Sequence, residues 1–507
     1  MTGAAMDVLP HFIDGLVIAL SPANLAYATV GCFVGMLIGV LPGIGSAGGM
    51  IILLPFALKL DPTGAIIMLA AIFYGSYYGG TITTILMNVP GEAASVVTML
   101  DGHQMARQGR AGVALSIAAI GSFVGGTVAV FALVFCAPLL TEAALQFGPQ
   151  ELFALLAVGL ATLVFLAGSS MPRALAMGVF GLLLGTIGTD PTMGTPRYTF
   201  GMTPLLGGIE FVPVVMGLFG LSEVLLSMEN RAGTLETRRV GRIYPTGAEL
   251  RESAGAIGRG TGIGFVLGLI PGTSQALASF VSYGVEKAAS NRPERFGRGA
   301  IQGVAGPETA NNAHANAALI PLFTLAIPGS PSVAILLAAF IKNGLAPGPL
   351  LFEQRPDVVW PIIASMIVGN VILLTMNLPL VGLWIRILQI PQAILSAVIV
   401  LFICLGTFLV NNSVFDMGVM VVFGVLGYAL RKLDFPLSPI ALTLIIGPMM
   451  EQALRQTLTI SRGDITALVR GPLSGGLLLL AVVVLTLPLW RAQVARLRRG
   501  LGKDAEG

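Results

Sequence analysis

Four proline-glycine pairs interrupt apolar stretches of this sequence, and they are the features best suited to binding chemistry. Proline and glycine at membrane depth free backbone N–H and C=O groups that lipid cannot satisfy, so such breaks persist only beside protein or a water-filled cavity. Each pair would begin a new half-helix, whose free N–H groups and positive dipole end attract an anion. The predicted ligand is therefore a carboxylate, held at Pro42-Gly43, Pro90-Gly91, Pro271-Gly272 and Pro328-Gly329.

Hydroxyl groups within a few residues of the same breaks indicate a second ligand. Hydroxyl and carbonyl oxygens coordinate hard cations, and unwound segments of transport proteins use them for coupling ions. We expect a sodium ion near Gly43, Ser46, Gly272 and Ser274. The substrate or ion contacts expected beside the pairs are Gly45, Ser46, Thr273, Ser274 and Ser330. The alternative is that the pairs only kink helices for packing, since both residue types are common in transmembrane helices.

Two acidic residues occur in apolar surroundings close to these breaks. Glu92 directly follows the second pair, and Glu308 lies in the polar run GPETANNAHAN with Asn311 and Asn312. A charged residue at mid-membrane costs about 2.5 to 3.5 kcal/mol, so it needs a substrate, a cation or a partner. We expect all four residues to contribute to the site. The alternative for Glu308 is an interfacial helix cap near Arg298, and for Glu92 it is simple complementarity with a helix N-terminus.

Motifs for enzymatic chemistry are scarce in the sequence. Neither a GxxxxGK[ST] phosphate loop nor an HExxH zinc motif occurs, so we expect neither ATP hydrolysis nor zinc chemistry. Ser274 with His314 downstream would suit a membrane-embedded serine protease, but Ser274 lies in a duplicated segment and a nucleophile needs no copy. We therefore predict a protein that is not an enzyme and that uses no cofactor apart from a coupling ion.

The elements that must position these residues are membrane helices. The chain of 507 residues is 55% hydrophobic and only 10% charged, whereas globular proteins carry about 25% charged residues. Apolar stretches long enough to cross a hydrocarbon layer of about 30 Å recur, as at 112–139 and 472–490. The net charge is only +3, and the lysines and arginines lie in short loops, where membrane topology explains them. The charge therefore indicates no nucleic-acid partner. We predict an all-α multi-pass membrane protein of about 10 to 12 transmembrane segments plus re-entrant helical hairpins.

Glycine and proline signatures recur in the same order and indicate two related halves. The segment GMLIGVLPG around the first pair is matched by GFVLGLIPG around the third, with identical spacing. Further on, Pro90-Gly91 is answered by Pro328-Gly329, and Pro149-Gln150 by Pro391-Gln392. Several matches that keep their order are the signature of a duplication.

Basic residues indicate how the two halves are oriented. The segment 261–286 has Arg259 before it and Lys287 after it, each within a basic cluster, so both of its ends are expected in the cytoplasm. Its partner around the first pair lacks upstream basic residues and is expected to open outward. Five crossings separate the two hairpins, which makes the halves inverted repeats. The arginines of the loop 453–471 fall outside on this count, and the topology does not explain them.

The predicted organisation has five parts. They are a first repeat at 1–228 with a hairpin near 26–58 and a broken helix near 63–100, a cytoplasmic linker at 229–259, a second repeat at 260–452 with a hairpin near 261–286 and a broken helix near 300–341, a loop and final transmembrane helix at 453–490, and a basic cytoplasmic tail at 491–507.

The assembled motifs resemble the large membrane subunit of the tripartite tricarboxylate transporter family over nearly the whole chain. The resemblance is carried by GCFVGMLIGVLPGIG, YGSYYGGTITTILMNVPGEAASVVTMLDGHQMARQG, GVAGPETANNA, LAIPGS, VLGYALRKLDFPLSP and GPMMEQALRQTL. The chain departs from the family pattern at Gly272-Thr273-Ser274-Gln275 and at Ser330-Pro331-Ser332. Both departures lie at the expected site, so the resemblance leaves the exact substrate open.

The resemblance implies a permease of the bacterial inner membrane that works with a small transmembrane subunit and a periplasmic solute-binding protein. It implies import of a di- or tricarboxylate such as citrate, coupled to a sodium or proton gradient. It also implies a fold like that of the ion-transporter superfamily, with elevator-type alternating access. Three other functions stay open from the residues alone, namely a membrane-embedded serine protease, an ion channel and a scaffold subunit that leaves transport to another chain.

Overall fold

The computed structural model of this protein describes most of the chain. The described residues are 4–41, 45–144, 147–166, 170–191, 193–229, 241–348, 350–387 and 392–486. Pro42 and Gly43 of the first hairpin, Pro391 of the repeat match and the expected tail at 491–507 lie outside the described residues.

Helices dominate the described part of the chain. Up to residue 229 they are α1 Ala4–Ala19, α2 Pro22–Val40, α3 Gly45–Ala57, α4 Pro62–Met87, α5 Met99–Arg107, α6 Ala111–Ala144, α7 Pro149–Leu166, α8 Met171–Gly185, α9 Phe211–Val215 and α10 Ser222–Glu229. The later helices are α11 Gly247–Gly268, α12 Gln275–Ala289, α13 Gln302–Ala317, α14 Leu319–Leu325, α15 Pro331–Lys342, α16 Leu351–Gln354, α17 Pro356–Asn377, α18 Val381–Ile387, α19 Gln392–Asn411, α20 Val414–Lys432, α21 Ser438–Ile460, α22 Ala467–Arg470 and α23 Pro472–Thr486. A π-helical segment, Met216–Leu221, joins α9 to α10. Two short strands, β1 Gly188–Thr189 and β2 Pro196–Arg197, pair in antiparallel fashion.

Six helical segments of the described chain are long and apolar enough to cross a membrane. They are α2, α4, most of α6, the segment from α9 to α10, α17 and α20. Seven shorter apolar helices accompany them among the described residues. The chain is thus an all-α multi-pass membrane protein.

Two expected boundaries are wrong. The linker predicted at 229–259 ends early, because α11 already begins at Gly247. The cause is a capping box, in which the Thr246 hydroxyl accepts from the Glu249 N–H while the Glu249 carboxylate accepts from the Thr246 N–H. The loop predicted from residue 453 begins late, because α21 continues to Ile460 despite Pro448 within it.

The described chain divides into two compact units. The first contains Met1–Leu145 and Ile209–Leu437, and it includes both expected hairpins and both broken helices. The second contains Gln146–Gly208 and Ser438–Gly507. In this second unit α21 packs against α7 and α8, and the β-ribbon is tied to α21 by an ion pair between Arg197 and Glu451 at 2.7 Å.

Glycines at one repeated sequence position hold each hairpin against the broken helix that follows it. On α2, a Cβ at Gly35 would lie 2.6 Å from the Ile72 carbonyl oxygen of α4. On α11, a Cβ at Gly264 would lie 2.2 Å from the Ala310 carbonyl oxygen of α13. Only glycine permits this approach of two backbones, as in small-residue contacts between transmembrane helices.

The two broken helices end with the same backbone conformation, and equivalent elements around them make corresponding contacts. Asn88 after α4 and Ala326 after α14 both adopt left-handed backbone, with φ of 56° and 57°, two residues before a proline-glycine pair. The helix α3 contacts α15, and α12 contacts the 3-10 turn Ala93–Ser95 at the equivalent place. Likewise α4 packs against α17, and α13 packs against α6. The contact between α3 and α15 therefore has a counterpart at the equivalent positions of the second repeated segment.

Candidate functional site

The N-terminus of α3 forms the described part of the first hairpin tip. The Ser46 N–H donates a hydrogen bond to Glu92 Oε1 at 2.5 Å. Gly45 lies beside the same carboxylate with a φ of +65°, and an ideal Cβ on it would be 3.7 Å from Glu92 Oε2. A helix N-terminus binds anions because its first N–H groups are free and its dipole is positive there. The anion held at this tip is the chain's own Glu92.

A second half-helix N-terminus meets the first. The Ser332 hydroxyl in the first turn of α15 lies 2.9 Å from the Ser46 hydroxyl. One residue before α15, the Ser330 hydroxyl accepts a hydrogen bond from the Val333 N–H at 3.3 Å and caps the helix. Two half-helices that are 286 residues apart in sequence therefore point their N-termini at one place.

The remaining breaks lie against these two. An ideal Cβ on Gly329 would be 3.6 Å from the Gly272 nitrogen, so the breaks at Pro271-Gly272 and Pro328-Gly329 are neighbours. Gly272 has a φ of +87°, which favours glycine. Gly91 is enclosed as well, since a Cβ on it would lie 2.4 Å from the Gly39 carbonyl oxygen. The described breaks thus converge within the first unit.

The second hairpin tip carries a threonine-histidine contact. The Thr273 hydroxyl lies 2.8 Å from His314 Nε2 of α13, while the Ser274 hydroxyl accepts from the Leu277 N–H at 3.2 Å. The serine is therefore a helix cap and is not paired with His314. His314 Nδ1 has no partner among the described residues, so no third group orients the imidazole as a catalytic triad requires. The protease arrangement considered from the sequence is absent from the described site.

Glu308 forms a separate cluster in the core of the same unit. It is fully buried in the middle of α13, so the alternative of an interfacial helix cap is wrong. Its carboxylate accepts hydrogen bonds from the Thr81 hydroxyl at 2.7 Å, the Thr98 hydroxyl at 2.6 Å and Asn311 Nδ2 at 3.1 Å. Thr81 belongs to α4 and Thr98 directly precedes α5, so Glu308 joins the two halves of the sequence.

Asn312 belongs to the Glu308 cluster through α6. Its Nδ2 donates to the Ser122 hydroxyl at 2.8 Å and to the Glu308 backbone carbonyl at 3.2 Å. The structure therefore sorts the expected residues into a tip cluster around Ser46, Glu92 and the breaks, and a core cluster around Glu308. In the described structure, neither Glu92 nor Glu308 accepts a hydrogen bond from lysine or arginine.

Several contact residues were not expected from the sequence. Thr81 and Thr98 bind the Glu308 carboxylate, Ser332 contacts Ser46, and Ser122 accepts from Asn312. Each looks like an ordinary hydroxyl residue in an apolar segment. Of these four residues, only Ser332 has a local sequence signal, because it is the third residue after the pair Pro328-Gly329. The other three are identified only by the packing of distant helices.

Comparison with known proteins finds one matching family and two similar proteins. The sequence profile of the tripartite tricarboxylate transporter TctA family matches residues 25–442. An uncharacterized 52.8 kDa protein in the TAR-I ttuC' 3' region of Agrobacterium vitis is 44% identical over 492 residues, which cover 96% of this chain and 98% of that protein. An uncharacterized protein in the TAR-II ttuC' 3' region of the same organism is 46% identical over 226 residues, which cover 45% of this chain and 93% of that protein. No solved structure matches significantly.

The matched region includes both clusters, from the α3 tip through Glu92 and Glu308 to α15. Because the profile covers far more than half of the sequence, the chain belongs to the tripartite tricarboxylate transporter TctA family.

Proposed function

We propose that this protein is the permease subunit of a binding-protein-dependent secondary transporter. It imports a di- or tricarboxylate across a bacterial inner membrane and is driven by a sodium or proton gradient. Its partners are a small transmembrane subunit and a periplasmic solute-binding protein. Family membership supports the transporter class, and the tip cluster supports an organic anion as the cargo.

One observation carries the choice of ligand. The Ser46 N–H at the start of α3 already holds a carboxylate, that of Glu92, at 2.5 Å. The Ser332 hydroxyl at the start of α15 lies beside it, 2.9 Å from the Ser46 hydroxyl. A substrate carboxylate offers the same acceptor atoms, so it can use the same N–H and hydroxyl donors.

Glu92 then controls the entry of substrate. Two carboxylates cannot share one N–H group without strong repulsion. Substrate binding therefore requires that Glu92 swings away or that a proton or sodium ion neutralises it. Substrate binding is thereby coupled to cation binding, because the site can hold the substrate carboxylate only when the cation is also bound.

The movement is proposed to be alternating access by inverted halves. The reciprocal contacts of α3 with α15, and of α12 with the Ala93–Ser95 turn, support a two-fold relation between the halves. The basic residues on both sides of α11 and α12 support opposite orientation in the membrane. An elevator-type motion would carry the tip cluster between the two faces, and the hairpin tips would close it in turn.

Two other functions, an ion channel and a scaffold, predict different behaviour of the protein. An ion channel would conduct without a binding protein and without a stoichiometric cation, and a scaffold would leave transport intact when the tip residues are changed. The meeting of two half-helix N-termini, one of which holds the Glu92 carboxylate, favours a binding site over either alternative.

The test is uptake of labelled carboxylates into proteoliposomes that contain this chain, its small subunit and its binding protein. Gly272→Leu should abolish uptake, because position 272 has positive φ and lies at the tip. Gly284→Leu on α12 is the matched control, since a Cβ there meets nothing within 4 Å. Gradient-driven uptake in the wild type and the control, but not in Gly272→Leu, supports the proposal. Correctly inserted protein that takes up no carboxylate under any gradient contradicts it.

A further inference from the structure

A polar stripe runs along one face of α13 inside the first unit. Glu308, Asn312 and Asn316 follow each other at intervals of four residues, which places them on one face of a helix. Each is no more than 1% exposed. The stripe faces α6, where Ser122 is hydrogen-bonded to Asn312 and a Cβ on Gly126 would lie 3.1 Å from Asn316 Nδ2.

The amide oxygens of the stripe have fixed directions. Asn312 Nδ2 is held by the Ser122 hydroxyl, and Asn316 Nδ2 donates to the Asn312 backbone carbonyl at 2.8 Å. Both Oδ1 atoms are therefore acceptors, because the donor side of each amide is already assigned. Neither Oδ1 atom receives a hydrogen bond from any described residue.

A third asparagine reaches the stripe from α17. Asn370 is fully buried, and neither atom of its amide has a partner among the described residues. A Cβ on Gly126 would lie 3.0 Å from both of these amide atoms, so the Asn370 and Asn316 side chains meet at this glycine. Asn316 and Asn370 thus bring unpaired amide atoms together beside Gly126, and the unpaired Asn312 Oδ1 belongs to the residue one turn earlier on α13.

The ligand that fits these atoms is a small monovalent cation. Buried acceptors without donors are strongly unfavourable, so their grouping indicates a bound partner. The crevice beside Ser122, lined by Tyr78, Thr81 and Asn377 among others, is too narrow for a water molecule. Divalent hard cations usually take several carboxylates, whereas this stripe offers neutral oxygens and the single carboxylate of Glu308.

We propose that Asn312, Asn316 and Asn370 bind a sodium ion in the core of the unit, with Glu308 supplying the compensating negative charge one turn away. The site is distinct from the hairpin tips, where the sequence led us to expect sodium. Its role as the coupling-ion site rests on the proposed function, whereas sodium binding itself does not.

The experiment is a sodium titration of the purified full-length protein in detergent without any carboxylate. The apparent Kd comes from the rise of the thermal unfolding midpoint with sodium chloride at constant ionic strength, with choline chloride and potassium chloride as comparators. Asn370→Leu should raise the apparent Kd at least tenfold and should still fold, because Asn370 makes no hydrogen bond that the change would break. Asn312→Leu should act in the same direction.

Two further variants make the result specific. Asn343→Leu is the matched control, because its Nδ2 is bonded to the Ala339 carbonyl at 2.8 Å outside the stripe, and its Kd should stay within twofold of wild type. Asn370→Asp keeps an oxygen ligand and should retain sodium binding. Absence of sodium-specific stabilisation in the wild type, or an unchanged Kd in Asn370→Leu and Asn312→Leu, overturns the proposal.

Transport separates this result from the function proposed above. If sodium drives carboxylate uptake but the stripe variants bind sodium normally, the stripe is not the site and the transporter function stands. If the stripe variants lose sodium binding while the wild type transports no carboxylate, the site stands and the transporter function fails.

Discussion

At the residue scale, a half-buried and a fully buried carboxylate are stabilised in different ways. Glu92 is bonded to the Ser46 N–H at a helix terminus, a type of donor that other carboxylates can also use. Glu308 is enclosed by three side-chain donors from three different segments, and no backbone N–H is among them. Glu92 is therefore suited to exchange with a ligand, whereas Glu308 is suited to remain in place.

The charge of Glu92 can be removed without changing its shape. In Glu92→Gln an amide oxygen can still accept from the Ser46 N–H, but the negative charge that must be neutralised is gone. We expect the cation concentration for half-maximal uptake to change at least tenfold, while the protein still folds. Initial uptake rates measured over a cation series, with Glu353→Gln as the control, test this. An unchanged cation dependence would mean that Glu92 only caps α3.

The sequence predicts such residues only where a local rule applies. Glu92 and Ser46 are predictable because they adjoin breaks whose backbone chemistry is known. Thr98 is not, since its hydrogen bond to Glu308 spans 210 residues and nothing in VVTML distinguishes it from a packing threonine. The contact between Asn316 and Asn370 is not predictable from the sequence either, because it depends on how α13, α6 and α17 cross.

At the element scale, one repeated glycine position explains why α2 packs closely on α4 and α11 packs closely on α13. Gly35 and Gly264 occupy the same position in the repeated segment, and each lets its helix touch the backbone of the next broken helix. Because this packing brings two backbones together, neither position tolerates a side chain. The repeated glycines thus hold each hairpin against the broken helix that follows it.

Two glycines of α11 give opposite predictions. Gly264→Ala should lower the free energy of unfolding by about 1 to 3 kcal/mol, because its Cβ would lie 2.2 Å from the Ala310 carbonyl oxygen. Gly262→Ala should raise it by about 0.5 to 1 kcal/mol, since its Cβ meets nothing within 4 Å and alanine favours the helix. Thermal unfolding in detergent measures both, and equal effects in the two variants would contradict the close contact.

The capping box of α11 gives a pH prediction. Glu249 accepts from the Thr246 N–H at 2.8 Å and pairs with Arg110 at 3.0 Å. These hydrogen bonds, the one from the Thr246 backbone foremost, lower the pKa of Glu249 from 4.5 to about 2. A carboxyl whose pKa is lowered by folding adds stability above its unfolded pKa and loses it as the pH falls toward the folded value.

We therefore expect wild type and Glu249→Gln to differ most in unfolding midpoint at pH 7. The difference should shrink below about pH 4.5 and disappear near pH 2. Midpoints measured across this range are the test, and a difference that does not depend on pH would exclude the carboxylate charge as its cause.

The ends of helices are harder to predict from the sequence than the helix breaks. Proline-glycine pairs mark helix breaks in the sequence, and helices end before Pro90 and Pro328 as these pairs predict. The start of α11 was placed too late, since the Arg-rich stretch was interpreted as a linker although Thr246 and Glu249 have the spacing of a helix start. The end of α21 was placed too early, because its last turns are polar.

At the scale of the whole molecule, compact units and sequence repeats divide the chain differently. The first unit contains both hairpins and continues to residue 437, whereas the second joins 146–208 to the segment from Ser438 onward. In the second unit Arg455 is paired with Asp190 at 2.7 Å and with Glu451 at 2.8 Å. The topology left this arginine unexplained, and its ion pairs show that it serves the fold of the second unit.

The orientation of the two halves can be tested with single cysteines at the hairpin ends. Lys59 follows α3 and Asn291 follows α12, and both are exposed. If the halves are inverted, these positions lie on opposite faces of the membrane, because each hairpin returns to the face from which it entered. After replacement of Cys32, Cys136 and Cys404, an impermeant maleimide should label Lys59→Cys in intact spheroplasts and Asn291→Cys only in inside-out vesicles. Labelling of both cysteines from one face would mean parallel halves, and a two-fold axis in the membrane plane would then be impossible.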